Sequence, residues 1–192
     1  MPALTGIKVL DFSTLLPGPL ASLVLAEAGA EVVKVERPGG DDMRHYAGPF
    51  GEASANFALL NRGKASLCLD LKSRDDRKRL DPYIAGADIL IEQFRPGVME
   101  RMDLGYEQLR AVNPRLIYCS ISGFNRGGAN SQRPAFDMIG QSLSGMLGLF
   151  LDPENPVVRG PTISDQLAGF YACYGVLGAL FARQTTGTGR RV

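Results

Sequence analysis

The stretch GIKVLDFSTLLPGPLASLVLAEAGAEVVKVE, residues 6 to 36, decides the fold. Ile7 to Phe12 reads as a buried strand, and the valine-rich Glu31 to Glu36 as a second. Between them lies a helical segment with prolines at its start and Gly29 near its end. A first helical turn leaves N–H groups unpaired in any case, so proline costs nothing there, while glycine closes helices because it accepts left-handed backbone. Strand, crossover helix and strand predict a βαβ unit. Outward from it the alternation returns in SLCLDLK, the helical SRDDRKRLDPYIAGA, ADILIEQF, the helical YEQLRAV and LIYCSISGF. The expected fold is therefore α/β, a doubly wound, mostly parallel Rossmann-like sheet flanked by helices. Three long loops leave the C-terminal ends of its strands: residues 36 to 55, 93 to 102 and 123 to 137. Ligands of open α/β sheets bind outside those ends.

Composition narrows the function classes. Twenty-one Lys and Arg face 20 Asp and Glu, which leaves no basic surplus for a nucleic-acid backbone or an anionic membrane surface. Cys68, Cys119 and Cys173 sit singly in apolar stretches and are expected as buried, reduced thiols, which points to the cytoplasm. With no CxxC spacing and His45 as the only histidine, neither a metal site nor a Ser-His or Cys-His dyad has enough parts. The start MPALTGIKVLDF lacks a signal-peptide pattern, and the apolar run from Tyr171 to Ala182 is too short to span a bilayer.

Two phosphate-binding motifs are approached and missed. STLLPGPLAS stands where a dinucleotide fingerprint needs G-x-G-x-x-G, and Pro17 and Pro19 remove backbone donors. NRGKAS, residues 61 to 66, lacks the first glycine and the Ser or Thr of a P-loop, so Arg62 and Lys64 read as an ordinary solvated pair. In ISDQLAG, residues 163 to 169, Asp165 stands before the apolar helix LAGFYACYGVLGALFA. Asp at that point is a helix cap, a reagent, or both.

The most specific stretch is ADILIEQFRPGVMERMDLGYEQLRAVNPRLIYCSISGF, residues 87 to 124. With LDFSTLLPGPLAS, EVVKVERPGGDDMR, NRGKASLCLDLK, FDMIGQSLSG and SDQLAGFYACYGVLGALFARQTTGTGRRV, it resembles the class III CoA-transferase family. The likeness runs in order through essentially the whole chain. It implies a homodimer of interlocked, ring-shaped subunits about twice this length, with acyl-CoA and organic acid as substrates and no tightly bound cofactor. The chain, ending on RRV like the start of another strand, is then expected to be the N-terminal CoA-binding domain of something longer.

By the resemblance Asp165 is the nucleophile, carried through an aspartyl-CoA thioester, and Asp137 is an acid near the catalytic centre. The helix entrance is expected to keep Asp165 ionised. Arg37, Leu69, Asp70, Leu71, Lys72, Gln93, Phe94, Arg95 and Arg101 would line the CoA site, with Leu16 and Pro17 near the thioester end. On residue chemistry alone Leu69 and Leu71 could be core, and Asp137 a cap for MIGQSLSGML. The related acyl-CoA racemases place a histidine before that acid, and here it is Phe136, which favours transfer over racemisation. An inactive CoA-binding fragment is the remaining alternative. Gln93 stands where the family usually has asparagine, and Thr14-Leu15-Leu16 replaces the polar His-x-Gln of the related formyl-CoA transferases. The latter is an apolar wall without hydrogen bonds for oxalate or formate, which makes the expected acyl group larger, succinyl being an example.

Overall fold

The computed structural model describes residues 1–46, 54–157 and 160–192. Five strands form one sheet: β1 (Lys8–Asp11), β2 (Glu31–Glu36), β3 (Ala65–Cys68), β4 (Ile89–Glu92) and β5 (Ile117–Ser120). Their order is β3-β2-β1-β4-β5 and every pairing is parallel. The expected doubly wound sheet is present. Arg190 to Val192 run alongside β5, with Tyr118 N–H donating to the Arg190 carbonyl and Val192 N–H to that of Tyr118. RRV is thus a parallel strand edge, as its pattern suggested.

Alternation along the central strands assigns side chains to two cores. Val9, Ile89, Ile91, Ile117 and Cys119 face the helices α1 (Pro17–Glu27) and α9 (Ile163–Thr186). Leu10, Leu90, Leu116 and Tyr118 face the opposite side. That side is covered by α4 (Asp81–Gly86), α5 (Val98–Arg101) and α6 (Tyr106–Val112), through Ile84, Met99 and Leu109. Strands buried on both faces need continuous apolar runs, which is why ILI and LIYC carry no polar alternation. Each fully buried aliphatic contributes about 1.5–3 kcal/mol.

The segment expected as one helix over 73 to 87 is two, α3 (Arg74–Lys78) and α4. Pro82 is the cause, because its ring would clash with the carbonyl four residues back and it offers no N–H. The chain turns at Leu80, and the proline falls in the first turn of α4. Smaller helices are α2 (Ala55–Asn61), α7 (Asp137–Leu143) and α8 (Leu147–Phe150).

On α9 the buried face is Gly169, Ala172, Cys173, Val176, Ala179 and Arg183. Small residues there let α1 and α9 approach closely. A Cβ on Gly169 would lie 2.7 Å from the Pro17 carbonyl oxygen. Arg183 closes the far end on Asp88 at 2.8 Å. No helix among the described residues is long and apolar enough to cross a membrane.

Candidate functional site

The strand order reverses between β1 and β4: β2 and β3 lie to one side of β1, β4 and β5 to the other. At such a reversal the connecting loops diverge and leave a crevice beyond the strand ends. A cleft of about 420 Å³ occupies that place. Thr14, Leu15 and Pro17 line it from the turn after β1, and Gln93 to Pro96 from the segment after β4. Ile121, Ser122, Gly123, Ser131 and Arg133 to Phe136 line it from the loop after β5. Ile139, Gly140 and Leu143 of α7 face Ser164, Asp165 and Ala168 of α9 across it. Among the described lining residues Asp165 is the one carboxylate.

Asp165 is the third residue of α9, and Thr162 stands at the cap position. The cap reading of Asp165 is therefore corrected, and so is that of Asp137. Asp137 is the first residue of α7, after Phe136 in the cap position, and it serves a different helix. Its Oδ1 accepts the backbone N–H of Asp165 at 3.1 Å, and its Oδ2 accepts from Gln141 Nε2. Gln141 Nε2 also donates to the Pro161 carbonyl at 3.1 Å, which ties the approach to α9 to the same pair. Gly140 permits this packing, since a Cβ there would sit 2.7 Å from Ser164 Oγ.

The expected stabilisation of ionised Asp165 by its helix is not what dominates. Burial, and then the negative charge of Asp137, push its carboxyl above the ordinary aspartate range. Asp165 is half-buried and borders the cleft, whereas Asp137 is buried behind it. A carboxylate of raised basicity is the better nucleophile once ionised.

The turn after β1 is held from several directions. Leu15 has φ of 61°, one of two left-handed non-glycine residues described, a conformation that costs about 1–2 kcal/mol. Gln93 bridges the turn, its Nε2 donating to the Thr14 carbonyl at 2.6 Å and its Oε1 accepting from Gly18 N–H at 3.2 Å. Beneath lies a buried charge cluster. Lys34 Nζ sits 2.9 Å from Asp41 and donates to the Ser13 carbonyl at 2.7 Å, while Lys64 Nζ lies 3.2 Å from Asp11. Asp11 also accepts from the hydroxyls of Ser13 and Ser22. Burial alone would raise the Asp11 carboxyl, but Lys34, Lys64 and the hydroxyls hold it below its ordinary value. Lys64 is thus not half of a solvated pair; only Arg62 is exposed, against Glu27.

Glu92, at the end of β4, organises the other wall. It is buried, and burial raises its carboxyl. It accepts from Phe94 N–H at 2.8 Å and from Arg126 Nη2 at 2.6 Å, so one carboxylate fixes both the Phe94 segment and the loop after β5.

Of the residues expected at the site, the cleft gathers Pro17, Gln93, Phe94, Arg95 and Asp165, with Asp137 directly behind. Leu16 adjoins it. Arg37 is exposed and pairs with Asp42, Arg101 is exposed on α5, and neither lines the cleft. Leu69 is core, with Leu71 packed against that core. Asp70 and Lys72 are exposed, joined by an Asp70 Oδ1 bond from Lys72 N–H at 2.9 Å. Cys68 is exposed, contrary to expectation, because β3 is an edge strand; Cys119 and Cys173 are buried and free. Part of the first long loop, residues 47 to 53, lies outside the described residues. Sequence reasoning passed over Arg133, Ile139 and Leu143, although they flank the two residues it did single out. It also missed Asp11 and Lys34, whose signal was charge inside a strand, and Asp41, for which the polar loop RPGGDDMR gave none.

The family model described as CoA-transferase family III matches residues 4–192. An acetyl-CoA:oxalate CoA-transferase of Acetobacter aceti is 41% identical over 190 residues, 97% of this chain and 49% of that protein. A succinyl-CoA:mesaconate CoA-transferase of Haloarcula hispanica is 41% identical over 203 residues, covering all of this chain and 51% of that one. Among solved structures, a CAIB/BAIF family protein from Brucella suis superposes with a TM-score of 0.92 at 34% identity, over 99% of this chain and 52% of that one. The chain spans about half the length of the curated relatives it matches. It belongs to CoA-transferase family III.

Proposed function

We propose that the protein moves CoA from an acyl-CoA donor to a carboxylic acid through a thioester on Asp165. One observation carries this reading: among the described lining residues a single carboxylate, half-buried and of raised basicity, faces a cleft of apolar, neutral polar and cationic side chains at the sheet's reversal point. Asp165 attacks the thioester carbonyl, the C–S bond breaks, and CoA leaves as thiolate with a mixed anhydride behind it. The thiolate then attacks the aspartyl carbonyl of that anhydride. The donor acid departs as carboxylate and aspartyl-CoA remains. The acceptor acid repeats both exchanges in reverse, so no proton need be stored and each step joins groups of similar energy. Asp137 takes the supporting role, holding the Asp165 amide at the helix entrance.

The pantetheine end of CoA would enter past Pro17, Gln93 and Phe94, with Arg95 in reach of its phosphates. Arg37, Asp70, Leu71, Lys72 and Arg101 would serve the nucleotide end outside the cleft, with Leu69 supporting them from the core. Leu15, Ile121, Phe136, Ile139 and Leu143 suit the carbon chain of an acid larger than oxalate, and Arg133 suits a distal carboxylate. Mesaconate, in the name of one relative, is of this class, while oxalate, in the name of another of equal identity, is the smaller alternative. Phe136 lines the cleft where a racemase needs a second base, and His45 is engaged with the Gly39 carbonyl, so the racemase reading gains no support. The exposed Phe170, Tyr171, Tyr174 and Phe181 on α9 accord with a homodimer, and the buried free thiols with the cytoplasm. Incubating the full chain with acyl-CoA donors should give a CoA adduct at Asp165 by mass spectrometry, absent in Asp165→Asn. An active preparation that forms no adduct with any donor would sink the covalent role.

A further inference from the structure

The turn that forms one wall of the cleft adopts a conformation that its own residues disfavour. Leu15 is left-handed, and no glycine is present to relieve it. Its N–H donates to Asp41 Oδ1 at 3.1 Å, across 26 residues of sequence. The other oxygen of Asp41 lies 2.9 Å from Lys34 Nζ, with both side chains almost wholly buried. Lys34 closes the circuit on the Ser13 carbonyl at 2.7 Å. Asp41 itself is fixed by its backbone N–H on Glu36 Oε1 at 3.1 Å. An ion pair taken out of water returns little net stability, so a buried one beneath a cleft invites a role in specifying geometry.

We propose that Lys34 and Asp41 form a positioning pair for the acyl-binding wall. Each grips one backbone group of the turn, Lys34 the Ser13 carbonyl and Asp41 the Leu15 N–H, and together they hold Leu15 left-handed against the cleft. Neither residue touches the substrate; both act through the backbone of Ser13 to Leu15. The proposal rests on Asp165 being the reacting group only in its kinetic consequence. The acyl carbonyl must meet the Asp165 carboxylate between this wall and α9, and a displacement of about 1 Å there costs on the order of a hundred-fold in rate.

The direct variant, Asp41→Ala, leaves a buried lysine unpaired and can fail to fold. The double variant Lys34→Met with Asp41→Leu replaces the pair by apolar side chains of similar length and branching, and folded proteins commonly accept an apolar substitute for a buried ion pair. Two measurements on the full chain decide the matter. Hydrogen exchange at residues 13–18 should quicken roughly ten-fold or more in the double variant, with the central strands unchanged. With an acyl-CoA donor, kcat should fall by roughly ten- to a hundred-fold while KM stays within about three-fold, since the turn places the acyl group rather than the nucleotide. Arg110→Ala, an exposed change on α6, should move neither readout. A folded double variant with wild-type exchange at residues 13–18 overturns the proposal. So does faster exchange with unchanged kcat. If the wild-type chain forms no Asp165 adduct, the functional reading falls, and the exchange comparison still decides whether the pair holds the turn.

Discussion

Lys64→Met should remove a pH dependence of stability whose direction follows from where the lysine sits. Its ammonium is buried 3.2 Å from Asp11. Burial draws its pKa down from 10.5 to about 8, with the attraction of Asp11 opposing and the repulsion of Lys34 assisting. In the unfolded chain the same group titrates near its ordinary value, so between about pH 8 and 10.5 the unfolded state binds more protons. Stability must therefore rise with pH through that window; below it both states are protonated and this group adds no slope. Over the whole window the gain is about 3 kcal/mol, at ~1.4 kcal/mol per pKa unit. Burial pushes the Cys119 thiol up to about 12 from 9.0, which lowers stability as pH climbs past the thiol's ordinary value. The clean interval is roughly pH 7 to 8.5, where Lys64 supplies about 1 kcal/mol. Urea unfolding of wild type and Lys64→Met at both ends of that interval measures it, and the thiol contribution cancels in the double difference. If the wild type gains no more stability across the interval than the variant does, Lys64 is not a buried cation and the charge cluster under the turn is misread.

Asp137→Asn keeps an acceptor for the Asp165 N–H but removes the neighbouring negative charge. The Asp165 carboxyl should fall toward its ordinary range, so the acid limb of the pH–kcat profile should move to lower pH; a shift upward would contradict the like-charge assignment. Gly169→Val should separate α1 from α9, because even a Cβ would lie 2.7 Å from the Pro17 carbonyl and 3.1 Å from Leu20. A loss of about 1–3 kcal/mol in denaturant unfolding is expected, together with weaker Asp165 adduct formation as the two walls part.

The α/β class, the parallel sheet and the order of elements were legible in residues 6 to 36 and their echoes, because strands buried on both faces must be written as apolar runs. Family membership was legible for a different reason, since the ordered motifs from Leu10 to Val192 survive as a string. Asp165 was singled out through the family resemblance; its position at the start of an apolar helix by itself fitted a cap equally well. The sequence alone did not reveal who supports whom. Asp137 lies 28 residues before Asp165, and only the packing of α7 on α9 turns it from a cap of its own helix into the acceptor for its neighbour's amide. Lys64 read as solvent-facing because local pattern gives no hint that Asp11 waits across the sheet. Gln93 read as lining the site, which it does, but no local signal showed that its amide also bridges Thr14 and Gly18. Local sequence encodes burial and periodicity, properties of one element at a time. Which charges meet, and which carboxylate is left facing the cleft, depends on how elements far apart in the chain are stacked, and that was decided by the tertiary structure alone.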